Sequence, residues 1–303
     1  MSVPVTPDSS IVDGVRQKGE NDVPRWSKVI VAQRGLFDLP WKEFWTYRDL
    51  ILLLARRNLA ITYKQTVLGP FWYILQPLLV TTVFSYLFGR MAGFTTDNIP
   101  HYLFYMSGLV LWNFFSEVVQ RTSRAFTDYE QLFAKVYFPR LAVPFALVVT
   151  HAVPLLVQFG LFLIGLTVYI LKGDPWVHPS WRMIFVPFLF IQTALLALGI
   201  GCIVAALTKR FRDLVVGIQV GLQLWMFGSG IIFPISRIAP DDRWLFIINP
   251  IVPMVEAFRL MFIGISPWLR PWHIMLSVGV TLITAVCGLV LYNRAEQNSM
   301  DTV

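Results

Sequence analysis

At 303 residues the chain is 56% hydrophobic and only 14% charged, whereas an ordinary soluble domain is about 45–50% apolar with about a quarter of its residues charged. Several apolar runs reach about 18 residues or more, enough to cross a hydrocarbon core about 30 Å thick. Lipid offers no partner to a free backbone amide, so these runs must be helical and the fold class is all-α integral membrane protein. The net charge of +7 is not gathered into a basic patch with interleaved aromatics, which excludes nucleic acid as a partner.

Residues 1–40 are polar and mixed in charge, with no short apolar core before a small-residue cleavage site. They read as a cytoplasmic, mostly disordered tail rather than a secretory signal. Residues 41–62 interleave tryptophans and leucines with Lys42, Glu43, Arg48, Asp49, Arg56 and Arg57. Phe44, Tyr47, Ile51 and Leu54 recur at helical spacing, which suits an amphipathic helix in the headgroup plane; an ordinary soluble amphipathic helix has the same spacing.

Gly69-Pro70 then opens a helix, since proline fits the first helical position. Six spans are expected, at about 70–89, 101–120, 141–171, 183–207, 214–235 and 271–292, followed by a cytoplasmic tail over 295–303. With both termini inside, 18 of the 25 Lys and Arg residues fall on the inner side and 7 outside, the asymmetry expected of a multi-pass protein with both termini in the cytoplasm. Cys202 and Cys287 both lie within apolar runs, so neither a disulfide framework nor a metal site is expected.

Residues 121–140 supply a short amphipathic helix ahead of Phe138-Pro139. It suits docking into a partner's groove, although a solvated connecting helix is equally amphipathic. Between spans five and six, 244–264 is apolar but broken by Asn249-Pro250 and Pro253. Two short re-entrant half-helices fit better than a full crossing or a surface helix, because broken backbone at membrane depth survives where protein or water shields it. Glu256 and Arg259, three residues apart, are placed to pair.

The sequence contains no GxxxxGK[ST] phosphate loop, so the chain does not bind or hydrolyse ATP by that route and is not an enzyme by itself. His101, His178 and His273 fall at expected outer span ends, and His151 lies within a span. Glu117 sits close to the inner end of its span, where snorkelling accounts for it. Ionisable groups near mid-membrane are otherwise nearly missing, which favours an external energy source over ion coupling. The early spans carry Trp72, Tyr73, Phe84, Tyr86, Phe88, Tyr105 and Trp112, and the fifth carries Trp225 and Phe227. Such rings can stack on sugar faces, and equally can pack against lipid.

The runs YKQTVLGPFWYILQPLL (63–79), LFAKVYFPRLAVP (132–144), TKRFRDL (208–214), FPISRIAP (233–240) and INPIVPMVEAFR (248–259) occur in the order found in ABC type-2 permeases that export bacterial polysaccharides. The chain resembles that family over most of its length. The resemblance implies a homodimer bound to two copies of a separate ABC ATP-binding subunit, which carries ATP and Mg, and a lipid-linked glycan substrate such as O-antigen, capsule or teichoic acid. It implies a coupling helix at 126–137, with Phe126, Asp128, Tyr129, Glu130, Gln131, Leu132 and Lys135 facing the ATPase, and a second contact at Arg210, Arg212 and Asp213. It further implies periplasmic gate helices over 236–263, including Asn249, Pro250, Glu256 and Arg259, and an interfacial helix at 41–62 flanking a lateral entrance. The rivals are a type-2 permease for a drug or small lipid, and an ATP-independent flippase or glycosyltransferase using an acidic pair such as Asp241-Asp242.

Overall fold

The computed structural model describes residues 47–64, 68–135, 138–209, 211, 213–264 and 266–297. The expected N-terminal and C-terminal tails and residues 41–46 therefore lie outside the described residues. Every regular element among those described is helical.

Helix α1, Arg48–Tyr63, buries Ile51, Leu54 and Ala55 against the start of the third span while Arg56 and Arg57 stay exposed. Its apolar face is thus partly covered by protein, and Leu52 and Leu53 are the exposed leucines. The first span is composite. A 3-10 turn at Gly69–Phe71 carries Pro70 in its first turn, α2 follows at Trp72–Phe84, and a π-helical stretch at Ser85–Met91 closes it.

Helix α3, His101–Ser123, is the axis of the bundle, with most of its residues buried. It packs against α6, Ala142–Leu171, and α7, Val186–Thr208. Helix α11, Pro271–Gln297, lies along α7. Glycine permits that crossing: a Cβ on Gly199 would sit 2.7 Å from the backbone of Thr284 and Ala285, and one on Gly288 would overlap the backbone of Gly199. Small residues of this kind let transmembrane backbones approach closely.

Among the described residues, five segments are long and apolar enough to cross a membrane: Gly69–Met91, His101–Ser123, Ala142–Leu171, Trp181–Thr208 and Pro271–Glu296. The expected fifth span, 214–235, is shorter as a helix. Helix α8 runs only Leu214–Phe227, 14 residues, about 21 Å at 1.5 Å per residue. Gly228 and Ser229 donate to Trp225 and Met226 in i to i−3 bonds, and Gly230 takes a φ of +66°. That tightening and the left-handed residue end the helix.

Beyond the turn come α9, Arg243–Ile248, and α10, Ile251–Phe262, the two half-helices expected from sequence. Asn249 is extended, with ψ 110°, as a residue before proline prefers. Pro253 does not break α10. It stands in the first turn, where no intrahelical amide bond is lost.

Candidate functional site

Three features stand apart from ordinary helix packing. They are the segment between α3 and α6, a polar cavity above it, and the α9–α10 hairpin at the other end of the bundle.

The expected single helix over 126–137 is instead two: α4, Ala125–Asp128, and α5, Glu130–Lys135. Tyr129 sits between them with φ −111° and ψ 13°, outside the helical well. Residues 136–137 lie outside the described residues. The apolar sides of both helices turn inward: the Phe126 ring stacks on Tyr292 of α11 at 4.4 Å and 20°, and Phe133 packs against Phe126, Tyr129 and Phe138. Asp128, Glu130, Gln131 and Lys135 are exposed, and the first three also border the cavity described next. The Tyr129 hydroxyl donates to Asn58 Oδ1 of α1 at 2.9 Å, and burial pushes its phenol pKa above the usual value. The proton that makes this bond is therefore retained well above neutral pH. Arg210 and Arg212 of the second expected contact lie outside the described residues, while Asp213 is exposed at the start of α8.

Above this segment is a cavity of about 690 Å³. Its floor is Thr127 to Leu132, one wall is Arg57, Asn58, Ile61 and Thr62 of α1, and another is Trp72, Tyr73, Gln76 and Pro77 of the first span. Helices α3 and α6 close it with Asn113, Ser116, Glu117, Arg121, Thr150, His151 and Gln158, among others. The Asn113 amide donates to Gln158 Oε1 at 3.0 Å. Glu117 lies 3.7 Å from Arg121, both half-exposed, in keeping with its snorkelling position near the end of α3. His151 is thus in a cavity wall rather than in lipid. Asn58, Asn113 and Gln158 were not singled out from sequence, although an amide inside an apolar run is a recognisable signal of interhelical contact or of a lined path.

The hairpin at the other end is held by one buried charge. Arg259, 1% exposed, bonds Glu256 Oε1 at 2.9 Å, as the three-residue spacing predicts. Its remaining donors go to the Gly230 carbonyl at 2.8 Å, the Phe104 carbonyl at 3.1 Å and the Ser107 hydroxyl at 3.2 Å, and its guanidinium lies 3.7 Å from the Phe104 ring centroid. Glu256 also accepts from the Ser266 hydroxyl at 2.7 Å. Arg259 ties α10 to the start of α3 and to the turn after α8.

Asn249 joins the same turn from the other side. Its amide donates to the Gly228 carbonyl at 2.8 Å, and its Oδ1 accepts from the Ile251 amide at 3.1 Å. Ser277 of α11 donates to the Pro250 carbonyl and accepts from Gln192 of α7. His273, expected at an interface, is buried between Trp268 and Trp272, each ring centroid 4.0 Å away.

The aromatic residues divide. Trp72, Tyr86 and Phe227 are exposed on the outer face of the first and fifth spans, and Tyr73, Phe84, Phe88 and Trp225 are half-buried. Tyr105 and Trp112 are buried in the core around α3. Their rings pack against Phe84, Phe104 and Phe115, so those two do not face a path outside the protomer.

The family model for ABC-2 type transporters matches residues 49–263. The chain is 28% identical over 259 residues to an O-antigen export system permease protein of Myxococcus xanthus, covering 84% of this chain and 96% of that protein. It is 24% identical over 252 residues to a polysialic acid transport protein of Escherichia coli, covering 80% and 92% respectively. A capsule polysaccharide export inner-membrane protein of Neisseria meningitidis serogroup B is 21% identical over 263 residues, with 84% and 94% covered. From its composition, its helical bundle and this match, the chain belongs to the ABC-2 type transporter family of multi-pass membrane proteins.

Proposed function

We propose that this chain is the permease subunit of an ATP-driven exporter that moves a lipid-linked polysaccharide from the cytoplasmic side across the bacterial inner membrane. The observation that carries the reading is the near full-length similarity to proteins named for O-antigen, polysialic acid and capsule export. A drug or small-lipid permease has no such support.

The motor is a separate ATP-binding subunit that holds ATP and Mg, and it docks on the exposed α4–α5 segment at the side away from the cavity, where Lys135 stands. Two permease chains pair across the first and fifth spans. The first span is largely uncovered, and Leu222 alone is buried on α8, so each protomer presents two apolar helices that call for a cover of lipid or a second copy. Trp72, Tyr86 and Phe227 lie on that face, where aromatic rings offer weak, repeatable stacking to a passing glycan. Closure of the motor pushes on the coupling segment, and the rigid cluster of Phe126, Phe133, Phe138 and Tyr292 passes the push to α6 and α11. The Lys and Arg asymmetry supports an orientation with both termini in the cytoplasm.

Deleting the gene in its host tests the reading. Lipid-linked glycan is expected to accumulate on the cytoplasmic side, by fractionation and sugar analysis, with loss of surface glycan. Unchanged surface glycan, with new drug sensitivity, would transfer the assignment to a small-molecule permease.

A further inference from the structure

The cavity between α1, the first span, α3 and α6 is built by residues of one protomer and borders the outer face assigned to the glycan path, since the exposed Trp72 lines it. Its volume, about 690 Å³, is in the range of small-ligand pockets. Its lining has a particular chemistry. Amides come from four directions: Asn58, Gln76, Gln131 and the bonded pair Asn113 and Gln158. Asn58 Nδ2 is buried without a hydrogen-bond partner while its Oδ1 is taken by Tyr129, and a buried donor left unmet costs about 1–3 kcal/mol. Trp72 and Tyr73 supply ring faces on one wall.

The charges among the described lining residues argue against an anionic occupant. Arg57 and Arg121 are opposed by Glu117, Asp128 and Glu130, and Glu117 already lies beside Arg121. A diphosphate there would meet an excess of carboxylate, whereas a neutral polyhydroxylated ring would find amide donors and acceptors, carboxylate acceptors and a stacking surface. Glycan export is the reading this rests on. We propose that the cavity is a loading site for the uncharged sugar units of the substrate next to its lipid anchor, occupied before the glycan passes to the path between protomers.

The test uses the permease with its ATP-binding subunit in lipid nanodiscs, in a Cys287→Ser chain so that the exposed native thiol is removed. A Ser116→Cys thiol on the cavity wall, and separately a Thr62→Cys thiol at α1, report occupancy by their maleimide labelling rates. The probes are oligosaccharides released by mild acid from the host's own lipid-linked glycan, and inorganic pyrophosphate. Oligosaccharide is expected to slow labelling several-fold in a saturable way, and pyrophosphate to leave it unchanged. Replacing Asn113 and Gln158 together by Leu, which removes both partners of one bond, is expected to raise the half-protecting concentration about tenfold. Protection by pyrophosphate without protection by oligosaccharide, or by neither, would overturn the proposal. Surface glycan lost on gene deletion with both thiols unprotected overturns the cavity assignment alone; surface glycan unchanged on deletion overturns the export reading beneath it.

Discussion

Arg259 illustrates how a charge is made tolerable at membrane depth. Its guanidinium meets one carboxylate, two carbonyls and one hydroxyl, so desolvation is offset by bonds in every direction that its planar fork can reach. Removing one partner of such a buried pair costs about 3–5 kcal/mol, because the other charge is left uncompensated. Arg259→Met is therefore expected to unseat α10 from α3 while the five long spans still insert. Thermal unfolding of the purified chain should shift down, with protease cleavage appearing between Gly228 and Ile251. Arg259→Met paired with Glu256→Gln should recover part of that loss, and a double variant no more stable than the single would show that the pairing is not what holds the hairpin. Residue spacing announced the Glu256–Arg259 contact. It gave no sign that Gly230, Phe104 and Ser107 would complete it, because those partners lie 29, 155 and 152 positions away.

At the scale of elements, the break at Tyr129 turns one expected coupling helix into two short ones that share an aromatic underside. The apolar spacing within 121–140 predicts one short amphipathic helix, and the family resemblance implies its bounds as 126–137. The sequence does not encode how far a tertiary cluster bends such a helix, and the stacking of Phe126 on Tyr292 does so here. Replacing Asp128 to Leu132 with a Gly/Ser linker removes both the polar surface and the Tyr129 bond to Asn58. The expected outcome is a complex that inserts and hydrolyses ATP but exports no glycan; normal export by that variant would refute the coupling role. The fifth helix ends earlier than its expected bound for a different reason. Apolar content continues through Ile231, Ile232 and Phe233, so hydropathy carries it to 235, while the chain leaves the helix at Gly228 through backbone geometry that hydropathy does not see. The half-helices around Asn249-Pro250 were legible because proline and its predecessor have local rules.

Across the whole molecule, burial is uneven. Helix α3 is enclosed by the protomer, whereas the first span and α8 are largely uncovered. Leu79 and Val220, both about half exposed, stand on those two uncovered helices. In a Cys287→Ser chain, Leu79→Cys combined with Val220→Cys is expected to give a covalent dimer on oxidation in membranes. Ile164→Cys, exposed on α6, is expected to stay monomeric. Dimer from the α6 variant alone would put the subunit contact on the wrong face. The all-helical membrane class, the helix pair around Asn249-Pro250 and the family were legible from apolar runs, prolines and short motifs. The cavity was not, because its walls come from four separate segments whose polar residues look unrelated until the bundle forms.

The contact of Gly199 with Gly288 bears on how such a bundle can change shape. Two backbones that touch without side chains between them have no ridges to ride over, and any relative slide would bring Ile200, Leu198 or Leu289 into a gap with no room for them. Helices α7 and α11, further cross-linked by Gln192 to Ser277 and by Lys209 to the Ala295 carbonyl, therefore behave as a keel. A push on α11 would carry α7 with it as one body, and the thinly attached first span and α8 are the members left to shift against that pair.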